Sequence, residues 1–129
     1  MATDIKDKED IKILVNAFYV KVQKNELLGP IFIDLMKVNW DTHLPKMYDF
    51  WNMILFEVPG YEGYPLRPHL EINAKNPLTA LHFETWLGLF DTTVDELFIG
   101  EKATEIKLRA KNVGMSWSYK MDYLNKLEA

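Results

Sequence analysis

Apolar side chains recur at spacings of three and four along most of this chain, and strand-like alternation is scarce. Helices are therefore the expected elements. The first runs from about Asp10 to Lys24, where Ile11, Leu14, Val15, Phe18, Tyr19 and Val22 form one apolar stripe. Asn25 and Gly29-Pro30 end it and open a short second element from Ile31 to about Met36. A third helix is predicted from roughly Thr42 to Val58, with His43, Met47, Trp51 and Ile54 turned inward and Phe50 and Leu55 beside them. Pro45 costs little only in a first turn, where its missing N–H would have no partner. The helix should therefore begin near Thr42 or bend there, which would leave His43 in a fraying turn that swings like a gate.

Breakers then crowd the chain from Pro59 to Pro65, and Leu66-Arg67-Pro68-His69-Leu70 follows. Asn76-Pro77 reads as a helix start, with Asn as N-cap and Pro in the first helical position. The fourth helix, Pro77 to about Phe98, places Leu78, His82, Trp86, Leu89, Phe90 and Thr93 near one face. Gly88 inside it costs about 1 kcal/mol relative to Ala, which close packing would explain. Gly100 precedes a last helix reaching about Leu127, with Ile106, Ala110, Val113, Trp117, Met121 and Leu124 inward. The pattern describes one all-α domain over residues 1–129, frayed over about 1–8 and 126–129, either a bundle or a compact globin.

Composition narrows the chemistry. The absence of cysteine excludes a thiolate ligand, a Cys-rich zinc site, a thiol nucleophile and a C-x-x-C-H attachment motif. A net charge of −4 with scattered lysines lacks the basic stripe of a nucleic-acid binder. The first ten residues are charged rather than signal-like, and no window suits a bilayer, so a cytoplasmic protein without a membrane partner is expected. Four Trp, six Tyr, seven Phe and six Met suit a large planar apolar ligand, and equally an aromatic-rich core.

No phosphate loop, nucleophile elbow or H-E-x-x-H motif appears, and no carboxylate lies in an evidently apolar setting that would raise its pKa. The histidines are His43, His69 and His82, with no H-x-x-x-H pair among them. His69, on a short stiff segment between Leu66 and Leu70, suits a haem iron, though a turn histidine would read the same way. Tyr19 and Trp86 carry polar tips on apolar stripes, as distal donors or ordinary core residues do. His82 reads as structural.

Several strings occur in order: Phe18-Tyr19, Leu28-Gly29-Pro30-Ile31-Phe32, Trp40-x-x-His43, Phe50-Trp51, Tyr64-Pro65-Leu66-x-x-His69-Leu70, and His82-Phe83-x-x-Trp86-Leu87-x-Leu89-Phe90. Together they resemble the group III truncated haemoglobins of bacteria, from about Ile11 into the last helix. The Gly-Gly pairs of the other truncated groups are absent. The resemblance implies a truncated globin, a two-over-two helical sandwich around haem b, with His69 as the proximal, metal-binding ligand. It places Tyr19, Trp86 and His43 on the distal side with Met47 facing the ligand. Phe18, Phe32, Trp51 and Phe90 line the pocket, and Arg67 and Lys46 pair with the haem propionates.

Such a protein binds O2, NO or CO at a polar distal pocket. It suits oxygen- or NO-related redox chemistry, such as NO dioxygenase or peroxidase-like turnover, better than bulk transport. Turnover would need an external reductase, since this chain has no flavin or nicotinamide domain. The expected assembly is a monomer or weak dimer. A haem-free globin-like interaction or signalling module is the alternative.

Overall fold

The stripe from Ile11 to Val22 is the inner face of α1 (Lys8–Lys24), and all six of its residues are buried. Period and burial agree because a single row of apolar side chains has one core to face. Asp7 caps the helix, its carboxylate accepting the N–H of Asp10 at 3.2 Å. Lys21 and Lys24 occupy the last turn, where the helix dipole favours cations. The structure, a computed structural model, describes residues 3–30, 40–57 and 78–127. The short element predicted over Ile31–Met36, the helix start at Asn76-Pro77 and the segment carrying His69 lie outside the described residues.

Three further helices follow: α2 (Trp40–Phe56), α3 (Ala80–Leu97) and α4 (Glu101–Leu127). α2 begins at Trp40, slightly before the expected Thr42, and holds Pro45 inside it, with His43 at the end of its first turn. It stops at Phe56, short of Val58. Glu57 adopts the left-handed region (φ 58°), and its N–H closes on the Met53 carbonyl at 2.9 Å. This is a helix-ending geometry that usually falls to glycine.

α3 starts at Thr79-Ala80 instead of Pro77. Its inner side carries Phe83, Phe90, Thr93 and Val94, whereas His82 is only partly covered. The Thr93 hydroxyl, fully buried, donates to the Leu89 carbonyl at 2.6 Å, so its burial costs little. Gly88 has open space around it: an added Cβ would meet nothing within 4 Å, and close packing does not account for it.

α1 packs on α2 and α3, α3 packs on α4, and α2 touches α4, so the four helices enclose one core. That core is centred on Phe18, Phe90, Ile11, Leu14, Leu55 and Ile106, each less than 2 % exposed. Burying a side chain of this kind stabilises by about 1.5–3 kcal/mol.

The residues just before α1 are tied to the rest of the fold. Ile5 is 2 % exposed within the core, and the Thr3 carbonyl accepts the Ile99 N–H at 3.0 Å. Asp4 caps α4 from across the chain, accepting the N–H groups of Lys102 at 3.0 Å and Ala103 at 2.8 Å. Partial burial pushes the Asp4 carboxyl up, but three backbone N–H bonds and the Lys102 ammonium outweigh it and hold its pKa below the usual carboxylate value. Gly100 makes this approach feasible. Its φ is 141°, and a Cβ there would lie 2.4 Å from the Asp4 Cγ. At the other end α4 stays helical through Leu127, with Lys126 paired to Asp122 at 3.0 Å.

Candidate functional site

Where α1, α2 and α3 meet, their aromatic side chains form one continuous layer. Phe18 of α1 presents its ring edge-to-face to Trp86 (5.6 Å, 85°) and Phe90 (5.2 Å, 77°) of α3. Trp86 stacks on Phe90, one turn further along the same helix (5.7 Å, 20°), and on Trp51 of α2 (6.3 Å, 23°). Trp51 closes the group against Phe90 at 4.9 Å. Offset and edge-on arrangements of this kind add about 0.5–1.5 kcal/mol per pair beyond burial. Met47 and Leu44 of α2 pack against the same core, only partly covered.

Two polar side chains enter this apolar layer from neighbouring helices. Tyr19, beside Phe18 (5.0 Å), faces the His43 ring edge-on at 5.3 Å and 81°. Tyr19 is 6 % exposed, and desolvation pushes its phenol far above the usual value, so it stays a protonated hydroxyl at any physiological pH. The Nε2 of His43 is buried. A phenol and an imidazole that bury their polar atoms among rings can present hydrogen bonds to a small polar group held there.

Of the residues singled out from the sequence, the fold brings Phe18, Tyr19, His43, Trp51, Trp86 and Phe90 into one layer, with Met47 packed against its core. Lys46 is exposed on α2. Phe32, Arg67 and His69 lie outside the described residues. Phe50 was foreseen only as a neighbour of the inward face; it is buried and tilts onto Trp51 at 5.1 Å. The Thr79/His82 pairing at the start of α3 was missed, although T-x-x-H carries the capping-box spacing with His in the usual Glu or Gln place. The expectation that no carboxylate is raised by its surroundings also fails. Asp91 buries Oδ1 without a hydrogen-bond partner among the described residues, and burial moves its pKa up against the pull of Lys107 and Lys111. No cluster of three metal-ligating side chains occurs among the described residues, and no helix among them is long and apolar enough to cross a membrane.

Four helices packed about an aromatic layer, with a tyrosine and a histidine set into it, define a small globin. The chain belongs to the group III truncated haemoglobins. It is 34% identical over 110 residues to the group 3 truncated haemoglobin ctb of Campylobacter jejuni, covering 83% of this chain and 84% of that one. The crystal structure of a group III truncated haemoglobin from Campylobacter jejuni superposes with a TM-score of 0.83 at 30% identity, over 94% of this chain and 95% of the other. No family model matches the chain.

Proposed function

We propose that this chain holds haem b against the aromatic layer and binds O2, NO or CO there, for oxygen- or NO-related redox chemistry rather than bulk transport. The observation that carries the reading is the Tyr19–His43 pair, two buried polar tips 5.3 Å apart by ring centroid within an otherwise apolar layer. A phenol and an imidazole side by side among rings give a small polar ligand two hydrogen-bonding groups to meet. A flat apolar macrocycle fits the residues present: Phe18, Trp51, Trp86 and Phe90 supply ring faces and edges, and Met47 an adaptable thioether. By resemblance His69 would ligate the iron, Phe32 would complete the lining, and Arg67 and Lys46 would pair with the propionates. Haem held by a single imidazole supplies an iron with one position left for a small ligand.

The chain's own residues do the rest. The Tyr19 hydroxyl, kept protonated by its burial, donates to the ligand. The Trp86 indole can only donate, and its ring contacts with Phe18, Trp51 and Phe90 fix where that N–H points. His43, at the end of the first turn of α2, offers a third polar atom. Aromatic rings on three helices exclude water, which strengthens each of these hydrogen bonds. A ligand retained this way suits reaction with NO, or peroxide cleavage, with electrons from an external reductase.

Purified protein should show a Soret band and keep it through gel filtration; colourless protein after incubation with excess haem overturns the reading. The His69→Ala variant should fold but lose haem on the same column. Tyr19→Phe should raise the O2 dissociation rate roughly tenfold or more, the effect of losing one charge-assisted donor. A stopped-flow rate unchanged from the parent removes Tyr19 from the distal role.

A further inference from the structure

The start of α3 is closed by a histidine. The N–H of Thr79 donates to His82 Nδ1 at 3.0 Å, and the Thr79 hydroxyl lies 3.0 Å from the same nitrogen. An imidazole nitrogen that accepts from a backbone N–H has no proton of its own, so this cap requires neutral His82 with the proton on Nε2. A glutamate or glutamine in this place would cap at every pH above the carboxylate range. A histidine caps only while unprotonated. Trp86 lies one turn further along the helix, on the same side as His82, and its ring spans Phe18 and Trp51.

We propose that His82 makes the start of α3 proton-sensitive: neutral, it closes the first turn onto Thr79; protonated, it releases that turn, and Trp86 moves with it. The inference goes beyond the haem reading and stands without it. Partial burial lowers the His82 pKa from 6.5, in the direction the cap geometry requires. The folded chain therefore takes up this proton less readily than the unfolded one. The cap's contribution is complete above about pH 6.5 and is lost as pH falls from there towards the lower folded value. Among the described residues, titratable groups that share a cleft with Thr79 are Glu84 on α3 and Tyr119 and Asp122 on α4. None of them contributes to the shift, which burial alone produces.

Imidazole and amide NMR on the purified full chain tests this, with any haem held in its diamagnetic ferrous carbonmonoxy form. At pH 7.5 His82 should be the Nε2–H tautomer. The Thr79 amide and the Trp86 indole resonances should then shift together with a midpoint below 6.5. His82→Gln should keep the capped Thr79 position at all pH values, and His82→Ala the released position at all of them. An Nδ1–H tautomer, or a Thr79 shift that persists in His82→Gln, overturns the proposal. A Trp86 resonance that stays still while Thr79 moves overturns the coupling along the helix.

Discussion

The aromatic layer and the clamp of Thr3–Ile5 on the start of α4 both join parts distant in sequence, but their polar atoms sit in different surroundings. In the layer, Tyr19 and His43 set a phenol and an imidazole edge-on to each other among rings. In the clamp, the Asp4 carboxylate meets two N–H groups at 2.8 and 3.0 Å and a third, from Ile5, at 2.9 Å. Its hydrogen bonding is completed within the fold. The contrast is between polar groups set among side chains from several helices and a carboxylate held by the backbone at one helix start.

The largest effect that tests the contrast is expected in the layer. Phe90 is fully buried and touches Phe18, Trp51 and Trp86, so Phe90→Ala should cost about 3–5 kcal/mol in denaturant unfolding of the haem-saturated protein. A cost under about 1 kcal/mol would mean that the layer collapses freely and holds no defined slot.

Next comes the clamp. Asp4→Ala should lower stability by about 1–2 kcal/mol and leave ligand dissociation rates unchanged. The Asp4 pKa is depressed in the folded chain, so its contribution is present above the ordinary value of 3.8 and lost as pH falls through the folded value. Unfolding curves of the parent and of Asp4→Asn should therefore converge in that acid window; curves that stay parallel would contradict the carboxylate's role. Combined with Phe90→Ala, the Asp4→Ala cost should add within about 0.5 kcal/mol, since the two share no partner.

The smallest change serves as a control outside both regions. Gly88→Ala fills open space on a helix surface and should stabilise by about 0.5–1 kcal/mol, seen as a higher Tm with unchanged ligand kinetics.

Legibility in the sequence followed the same division. The α1 stripe was readable to the residue because periodicity depends only on which side faces the core. The starts of α2 and α3 were read slightly out of place because proline was taken as a local boundary. α2 carries Pro45 inside it, and α3 takes its cap from Thr79 and His82. The aromatic residues of the layer could be listed from their place on helix faces. Their contacts could not, because a face does not determine how one helix is rotated or shifted against the next. Asp4 and Ile5 were invisible for a stronger reason. A run of charges reads as solvated, and the groups that bind Asp4 lie 98 and 99 positions away.

That separation bears on how the chain must be handled and how it assembles. Ile5 is an interior residue and Asp4 a capping group, so this stretch is no convenient handle. Trimming through Ile5 would remove a packed side chain and the stopper of the longest helix in one cut. During folding, the first turn of that helix stays open until the two extremes of a loop of nearly a hundred residues have met, a closure whose entropic cost grows only slowly with length. The polypeptide is buttoned at that point, and Gly100 is the buttonhole.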